Sequence, residues 1–403
     1  MNERICIIGG GHSSGKLIKN LLDNNYKGEI SIFSEEKYSP YERPPLSKEY
    51  LKDEVEIKDF QIDFDSKRKN INLFLNSKID KINLETKIIS DINDKKHKYD
   101  KIVFANGSKP KKINNNLEGI CYLRNINDSE FIKKRLHDSE DIAILGAGYI
   151  GLEVASSIIE KFPQKKITII ESSNDILSRN SNIHLRKIIK EKILKNNIKL
   201  FLNSEIQEIN GQNKIDSISL KNGKKISCSL LIVGIGVTPN IDIIKNSKIV
   251  NAKGIITNEY CKTEIKDTYA IGDITNFKSL FFKKFVKEES WNNAEKQAFV
   301  LAQNLLGNNT KYEEIPWFWT NQFDNNYQIL GDISNFDKHI SRIYNQDKIT
   351  NFYIRDNKIT GILAINTGRD ISIMRKVLKY TNEVNLELIK NINIDLRNLL
   401  KNG

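Results

Sequence analysis

Short apolar runs, glycine clusters and amphipathic stretches alternate at the start of the chain. Arg4 to Ile8 is an apolar run that predicts a strand, and a helical pattern continues from the GGGHSSG turn to about Asn24. Glu29 to Phe33 predicts a second strand. This order indicates a βαβ unit that binds a dinucleotide, because the glycines let the backbone approach a pyrophosphate at the start of the helix.

The glycine motif of this unit departs from GxGxxG at one place. Gly9 and Gly11 fill the first two positions, and Ser14 stands at the third. Serine is small enough to keep helix and strand close, so we interpret the change as tolerated. Glu35, just beyond the second strand, is placed to accept hydrogen bonds from an adenosine ribose.

The same pattern recurs near residue 141. Asp141 to Leu145 predicts a strand, and the run GAGYIG follows with all three motif glycines, Gly146, Gly148 and Gly151. Lys166 to Ile170 predicts the next strand, which ends at Glu171. An acid at this spacing binds the ribose 2′-hydroxyl of NAD and repels the phosphate of NADP. No arginine is adjacent to accept that phosphate, so we expect NADH to be preferred.

The pattern changes after Gly307. Strands are predicted near 326–331, 338–344 and 349–366, with Asp356-Asn357 as the turn of the last hairpin. Asp370 to Tyr380 has the apolar spacing of an amphipathic helix. We therefore predict a mixed α+β domain at the C-terminal end, with Trp317 in its core.

Composition is that of a globular protein with two or three domains. The chain has 403 residues, of which 39% are hydrophobic and 28% charged. The formal net charge is +12, which fits either an acidic partner or a general bias towards lysine. No arginine-rich tract or nucleic-acid motif is present, so we do not expect nucleic-acid binding.

Cysteines and targeting segments limit the chemistry and the location. Cys6, Cys121, Cys228 and Cys261 are far apart and form no CxxC or CxxxxC pair, which argues against metal, structural disulfide and dithiol chemistry. The first ten residues leave no room for a signal peptide, and no apolar run approaches ~18 residues. We expect a soluble, cytoplasmic protein that does not bind membranes.

A proline-rich run follows the first βαβ unit. It extends from Tyr38 to Leu51 and reads YSPYERPPLSKEYL. Pro44 and Pro45 stiffen the loop, and we expect a short helix to open at Leu46 with Lys48 in its first turn. Such a loop is suited to hold a fixed positive charge against a planar cofactor.

This run resembles the YxRPPLSK motif of the FAD-dependent, NADH-using ferredoxin and rubredoxin reductases, which supply electrons to Rieske oxygenases and cytochromes P450. Apoptosis-inducing factor shares their fold. The resemblance covers nearly the whole chain. It implies that Arg43 contacts FAD, that Pro45 belongs to the same FAD-binding run, and that Lys48 lies by the reactive edge of the flavin.

The resemblance extends to further positions along the chain. In this family an Ala-Thr-Gly run marks the point where the chain leaves the first domain, and here Asn106 replaces its threonine. The resemblance therefore does not determine whether residue 106 contacts the flavin. A strand ending in Gly-Asp presents Asp273 to a ribityl hydroxyl. The remaining cofactor-binding positions that the family matches are Ile79, Arg124, Gly236 in the second crossover, Glu289, Ser290, Trp291 and Trp319.

Glu153, on the helix after GAGYIG, has two interpretations. It could complement the dipole of the helix N-terminus as a first-turn acid. The resemblance instead places it beside the nicotinamide, paired with Lys48.

These expectations define an α/β flavoprotein with two dinucleotide-binding domains of the glutathione-reductase type and a small α+β C-terminal domain. The FAD domain is predicted at 1–111 and 238–310, the NAD domain at 112–237 and the C-terminal domain at 311–403. The implied reaction takes a hydride from NADH and passes electrons singly to a ferredoxin or rubredoxin. The implied assembly is a monomer or homodimer.

The sequence supports three other functions to different degrees. A disulfide reductase needs a cysteine facing the flavin, and residues 34–60 contain none. A redox-responsive interaction protein like apoptosis-inducing factor is less favoured, because the C-terminal domain lacks a long insertion. The sequence does not distinguish the third function, that of an NADH oxidase that reduces oxygen directly, from a ferredoxin or rubredoxin reductase.

Overall fold

A computed structural model describes residues 3–178, 182–381, 383 and 385–400. Within these residues the strands are β1 (Arg4–Ile8), β2 (Glu29–Phe33), β3 (Ile71–Phe74), β4 (Ile79–Asn83), β5 (Ile88–Asp91), β6 (Lys96–Lys98), β7 (Lys101–Phe104), β8 (Ser108–Pro110), β9 (Ile120–Cys121), β10 (Asp141–Leu145), β11 (Lys166–Ile170), β12 (Lys199–Phe201), β13 (Ile206–Gly211), β14 (Ile215–Leu220), β15 (Lys225–Ser227), β16 (Leu230–Val233), β17 (Val237–Pro239), β18 (Val250–Asn251), β19 (Gly254–Thr257), β20 (Thr268–Ala270), β21 (Thr275–Ser279), β22 (Lys284–Val286), β23 (Trp317–Gln322), β24 (Asn325–Gly331), β25 (Lys338–Asn345), β26 (Lys348–Arg355) and β27 (Lys358–Ile365). The helices are α1 (His12–Asp23), α2 (Ile57–Phe60), α3 (Ile126–Asp138), α4 (Tyr149–Lys161), α5 (Ile183–Lys195), α6 (Trp291–Leu305), α7 (Gly368–Val377) and α8 (Leu386–Lys390).

The first of two compact units comprises Met1–Pro44, Glu56–Lys109 and Val237–Pro316. Its central sheet has the order β20-β7-β1-β2-β3, and all of its strand pairs are parallel. The strands are mainly apolar, as is usual for a parallel sheet whose two faces are covered. Two smaller sheets, β4-β5-β6 and β18-β19-β21-β22, belong to the same unit.

The second compact unit comprises Pro45–Val55, Pro110–Gly236 and Trp317–Gly403. Its parallel sheet has the order β12-β11-β10-β16-β9, and a three-stranded sheet β13-β14-β15 accompanies it. The strands β23-β24-β27-β26-β25 form an antiparallel sheet towards the C-terminal end. Parallel α/β and antiparallel α+β architecture are thus both present, as the sequence predicts.

One hydrophobic core joins the parts of the second unit. It includes Leu51 from the proline-rich run, Leu152 from α4, and Tyr327 and Tyr353 from the antiparallel sheet. The described residues of 45–55 and 317–400 therefore pack with those of 110–236 in one unit. The division into three domains with boundaries near 111, 237 and 310 stays a prediction.

Most predicted elements are confirmed, and two details are wrong. The predicted helix opening at Leu46 is instead a 3₁₀ turn, Pro44–Ser47, and Lys48 directly follows it. Its bonds are short-range, with the Lys48 N–H donating to the carbonyl of Pro45 at 3.0 Å. Trp317 and Phe318 are both partly buried, and it is Phe318 that packs against the hydrophobic core. Alternation along β23 puts these two side chains on opposite faces.

In the part of the chain that the structure describes, none of the helices combines the length and the apolar character needed to cross a bilayer.

Candidate functional site

The turn between β1 and α1 brings backbone rather than side chains to the start of the helix. Gly9 has a φ of +107°, and a Cβ atom there would lie 2.6 Å from the carbonyl oxygen of Ala105. At Gly11 the atom nearest to an added Cβ is a guanidinium nitrogen of Arg43, 3.6 Å away. Gly11 immediately precedes α1 and offers no side-chain cap. The first N–H groups of α1 therefore point to a position beside a cation, which is the environment that a pyrophosphate requires.

Ser14, at the third position of the motif, is fully buried. Its hydroxyl donates to the carbonyl oxygen of Gly9 at 2.5 Å. Ser14 thus connects the first turn of α1 to the glycine turn through a hydrogen bond. A glycine at this position would allow close packing but could not form that bond.

Arg43 is held by two neighbours in the chain. Its Nη2 donates to Glu36 Oε1 at 2.7 Å, and its Nη1 donates to the hydroxyl of Tyr41 at 3.1 Å. Burial by itself lowers the pKa of Arg43, but the interactions with Tyr41, Glu36 and Asp273 outweigh it and raise the pKa. The sequence did not single out Glu36 or Tyr41, although Glu36 is only seven positions from Arg43.

Asp273 lies in the 3₁₀ turn Gly272–Ile274 that follows β20. Gly272 has a φ of +78°, and its N–H donates to Gln297 Oε1 on α6 at 2.7 Å. The hydroxyl of Ser108 donates to the carbonyl oxygen of Asp273 at 3.3 Å. Since the charge of Asp273 acts on Arg43, the fold of the first unit brings two of the predicted FAD residues together.

The start of α6 packs on the start of α1. Ser290 is the N-cap of α6, where its hydroxyl accepts from the N–H of Asn293 at 3.1 Å. The indole N–H of Trp291 donates to Glu42 Oε2 at 3.1 Å, and its ring lies 5.1 Å from that of His12. Trp291 therefore sits beside the first turn of α1, and Ser290 begins the helix that carries it.

Two acids precede this cap. Glu289 pairs with Lys287, with 2.5 Å between Oε1 and Nζ. The adjacent Glu288 was not predicted. Burial, together with the nearby charge of Glu314, raises its pKa to about 7. The hydroxyl of Ser290, which donates to the carboxylate at 3.0 Å, acts in the opposite direction and lowers the pKa. Burial therefore favours the protonated form of Glu288 more than that of an exposed glutamate.

Asn106, which replaces the usual threonine, is hydrogen-bonded to Asn240 in a distant part of the chain. Its Nδ2 donates to the carbonyl of Asn240 at 2.7 Å, and Asn240 Nδ2 donates to the carbonyl of Asn106 at 2.7 Å. The N–H of Asn240 also donates to the carbonyl of Gly107 at 2.9 Å. Among the described residues, the buried Oδ1 of Asn106 has no hydrogen-bond partner. An acceptor therefore stays available for a bound group at this position.

Two predicted residues at the adenosine end occupy different environments. Glu35 exposes 68% of its side chain and lies 3.5 Å from the Nζ of Lys78. Ile79 is buried at the start of β4. An exposed Glu35 has oxygens accessible to a ribose, and its role stays a prediction.

Three residues that the resemblance assigns to cofactor binding lie in the second unit. The N–H of Arg124 donates to Asp128 Oδ2 at 2.9 Å. The carbonyl of Pro45 accepts the short-range bond of the 3₁₀ turn. Gly236 has a φ of +101°, and its carbonyl accepts from the N–H of Lys111 at 2.9 Å. Their contacts to a cofactor stay predictions.

The second glycine turn repeats the first with a complete motif. Gly146 has a φ of +103°, and a Cβ atom there would lie 2.5 Å from the carbonyl oxygen of Gly234. At Gly151 an added Cβ would collide with the carbonyl oxygen of Gly146. At Gly148, the residue before α4, no atom lies within 4 Å of an added Cβ. The helix start therefore faces open space that suits a pyrophosphate.

Glu171 directly follows β11 and turns back towards this glycine turn. One carboxylate oxygen accepts from the N–H of Ala147 at 2.8 Å, and the other accepts from the N–H of Ser173 at 2.8 Å. Burial raises the pKa of Glu171, but these two backbone donors and Ser172 outweigh it and lower the pKa. The carboxylate is therefore ionised at neutral pH and has lone pairs for a ribose.

Replacing Glu171 with alanine is expected to raise the KM for NADH roughly ten- to a hundredfold, because the ribose loses a hydrogen bond to a charged group. The preference for NADH over NADPH should narrow, because a charge that repels the phosphate is also lost. Stopped-flow reduction by each nucleotide measures both effects. Glu171→Gln should narrow the preference with a smaller rise in KM, and the exposed Glu208→Ala is the control. Unchanged discrimination in both Glu171 variants would assign the selection to another residue.

Lys48 and Glu153 form a buried ion pair in the second unit. The Nζ of Lys48 lies 2.8 Å from Glu153 Oε2, and the two residues are 7% and 3% exposed. Glu153 is the fifth residue of α4, and the first turn of that helix holds no acid. The helix-dipole interpretation is therefore wrong, and the pairing with Lys48 is confirmed. The hydroxyls of Ser47 and Thr320 also donate to Glu153, which the sequence did not predict.

Trp319 is partly buried on β23. Its ring stacks on that of Trp317, with centroids 5.2 Å apart and planes at 25°. The guanidinium of Arg375 lies 4.7 Å from the centroid of Trp317. The predicted Trp319 thus belongs to an aromatic and cationic cluster on the antiparallel sheet.

All four cysteines are free and buried. Burial raises the pKa of Cys228 to about 12 and raises the pKa of the other three thiols as well. A thiolate nucleophile is therefore strongly disfavoured at every cysteine. Within the described ranges, no three side chains of the ligand-forming types are grouped so that they could hold a metal ion.

Comparison with known proteins agrees with this geometry. Residues 3–298 match the family described as pyridine nucleotide-disulphide oxidoreductase, and residues 317–400 match the reductase C-terminal family. Among curated relatives, a rubredoxin-NAD(+) reductase of Pseudomonas putida is 29% identical over 348 residues, covering 85% of this chain and 90% of the relative. The ferredoxin–NAD(+) reductase component of the p-cumate 2,3-dioxygenase system, also from Pseudomonas putida, is 28% identical and covers 98% of both chains.

A solved structure extends the likeness to three dimensions. The ferredoxin reductase of the CYP199A2 system from Rhodopseudomonas palustris superimposes with a TM-score of 0.92 at 27% identity, covering 98% of this chain and 99% of that one. The two glycine turns, the acid after β11 and the match over residues 3–298 lead to one assignment. The chain belongs to the pyridine nucleotide-disulphide oxidoreductase family of flavin- and NAD-dependent oxidoreductases.

Proposed function

We propose that this protein is an NADH-dependent reductase that uses FAD and delivers electrons singly to a ferredoxin or a rubredoxin that feeds an oxygenase. The observation that carries the proposal is the pair of glycine turns that precede helices, one at the start of α1 and one at the start of α4. The relatives that match most of the chain are reductases of rubredoxin and ferredoxin.

The residues of each unit suit one dinucleotide. In the first unit Gly9 and Gly11 would admit the pyrophosphate of FAD, with Arg43 and Asp273 as charged contacts. In the second unit the turn at Gly146 would admit the pyrophosphate of NADH. Bound FAD would supply the chemistry that links NADH, which gives two electrons as a hydride, to a protein that accepts one electron at a time.

Lys48 and Glu153 have a tuning role in this proposal. The ammonium is kept in place by a stiff proline turn and by a buried carboxylate, so its charge is preorganised. No side chain of the protein has to transfer a proton or form a covalent bond for electrons to pass. The two residues act through their field.

The test is a comparison of electron acceptors. The FAD-loaded protein is reduced with NADH under anaerobic conditions, and reoxidation is followed by stopped flow with a ferredoxin, a rubredoxin or oxygen. We expect the iron-sulfur or iron protein to react much faster than oxygen. A faster reaction with oxygen would identify an NADH oxidase, and slow reaction with all three would favour a role like that of apoptosis-inducing factor.

Disulfide reduction is not favoured for this member of the family. That chemistry needs a reactive thiolate next to the flavin. The proline-rich run carries no cysteine, and the four cysteines elsewhere are buried with raised pKa values. Cysteines left unpaired are typical of reducing compartments, and NADH is available in the cytoplasm, where we place the reaction.

The rate of electron transfer to an acidic ferredoxin is expected to fall as salt rises. The chain carries a formal charge of +12, and a basic docking face would steer the encounter. The Debye length shrinks from about 30 Å at 0.01 M to about 10 Å at 0.1 M, so the bimolecular rate should drop across this range. Hydride transfer from NADH is the control. No salt dependence of the ferredoxin step would show that the lysine content is a compositional bias.

A further inference from the structure

The carboxylate of Glu153 receives three hydrogen bonds, two from adjacent residues of the proline-rich run and one from the antiparallel sheet of the same unit. Oε2 accepts from the hydroxyl of Ser47 at 2.6 Å and from the ammonium of Lys48 at 2.8 Å. Oε1 accepts from the hydroxyl of Thr320 at 2.6 Å. Each distance is in the range of a charge-assisted bond. The two oxygens therefore have different donors, and Lys48 meets only one of them.

The direction of the Thr320 hydroxyl is determined by a fourth residue. The side-chain amide of Gln322 donates to Thr320 Oγ1 at 3.0 Å. Because that bond occupies a lone pair of the hydroxyl, its single proton is left to point at Glu153. Thr320 is fully buried, so water cannot replace it.

The position of Thr320 is fixed on both sides along the strand. On one side the ring of Phe318 packs edge-on against Tyr149, the first residue of α4, with centroids 4.4 Å apart. On the other side the N–H of Phe323 donates to the hydroxyl of Ser156 on α4 at 2.7 Å. Strand β23 is thus held against α4, and Thr320 lies opposite Glu153 between the two contacts.

We propose that Thr320 is a positioning residue for the reductase reaction. By holding one oxygen of Glu153, it prevents the carboxylate from turning both oxygens towards Lys48, and so leaves the ammonium field incompletely neutralised. A stronger residual field favours the negative charge added to a neighbouring flavin. This inference rests on the proposed function, in which Lys48 acts on FAD.

The test compares variants that differ by single groups. Thr320→Val keeps the shape and removes the hydroxyl, whereas Thr320→Ser keeps the hydroxyl. The matched control is Thr350→Val, because Thr350 is equally buried and its hydroxyl donates to the carboxylate of Asp370 at 2.6 Å. Thr350 lies on β26 of the same sheet and has no contact with Glu153 among the bonds described for the two residues.

The readout is the midpoint potential of the bound flavin, measured by anaerobic redox titration of the FAD-loaded protein. Thr320→Val should shift the potential to more negative values and slow hydride transfer from NADH about tenfold, less than the ~100-fold that a 1 Å misplacement can cost. Thr320→Ser should behave like the wild type. Thr350→Val should lower the melting temperature and leave the potential unchanged.

A wild-type potential in Thr320→Val, or an equal shift in Thr350→Val, would overturn the inference. If Thr320→Val does not fold, Gln322→Met replaces it, since it removes only the amide that directs the hydroxyl, and it should shift the potential in the same direction by less. An unshifted Gln322→Met would then overturn the inference. Failure of the wild type to bind FAD or to be reduced by NADH would instead refute the proposed function.

Discussion

Replacing Lys48 with methionine is expected to lower the midpoint potential of bound FAD and to destabilise the protein. The change removes a cation and leaves Glu153 buried without its charged partner. Breaking a buried ion pair in this way costs roughly 3–5 kcal/mol of the free energy of unfolding. Every ~1.4 kcal/mol of lost preference for the reduced state corresponds to about 30 mV for a two-electron couple. If the loss of the cation lowers that preference by a few kcal/mol, the potential should fall by several tens of millivolts.

The measurement combines redox titration with thermal unfolding. Lys52→Met is the matched control, because Lys52 is four positions away and pairs with Glu54 and Glu160 at 3.1 Å near the surface. It should leave the potential close to that of the wild type. A Lys48→Met variant that is less stable but has the wild-type potential would show that the ion pair is structural and does not act on the flavin.

Replacing Asp273 with alanine is expected to weaken the retention of FAD. The carboxylate is proposed to accept from a ribityl hydroxyl, and its charge also acts on Arg43. A hydrogen bond to a charged group contributes roughly 1.5–3 kcal/mol, so the Kd for FAD should rise about ten- to a hundredfold. The purified variant should lose its yellow colour on dilution and regain it when FAD is added.

A suitable control for this prediction lies in the same unit. Asp242 begins another 3₁₀ turn, Asp242–Ile244, and pairs with Lys109 near the surface. Asp242→Ala should therefore keep its flavin at the same dilution. Full flavin occupancy in Asp273→Ala would remove Asp273 from the FAD site and leave Arg43 as the charged contact to examine.

Local patterns were sufficient for the elements that form the two glycine turns. Arg4–Ile8, Glu29–Phe33, Asp141–Leu145 and Lys166–Ile170 have the predicted bounds, since each is a short apolar run that ends at a turn. The place of Glu171 followed as well, because a residue that directly succeeds a parallel strand must lie at its carboxyl end.

Other predictions depended on neighbours that periodicity does not reveal. Trp317 was expected in the core, yet the alternation along β23 turns Phe318, and not Trp317, towards the core, against which Phe318 packs while partly buried. The proline run was expected to open a helix, and it forms a 3₁₀ turn whose last residue, Ser47, bonds to a carboxylate 106 positions away.

The sequence alone determined the two dinucleotide turns, the acid after β11 and the family, because these depend on residues within about 30 positions of one another. The tertiary structure decided which groups surround each charge. Thr320 is 167 positions from Glu153, and Asn240 is 134 positions from Asn106. Such pairs form only when separate segments fold against each other, and a hydroxyl or an amide has no periodic pattern that marks its distant partner. The electrostatic environment of Lys48 is therefore a property of the packed second unit, while the lysine itself is evident in the chain.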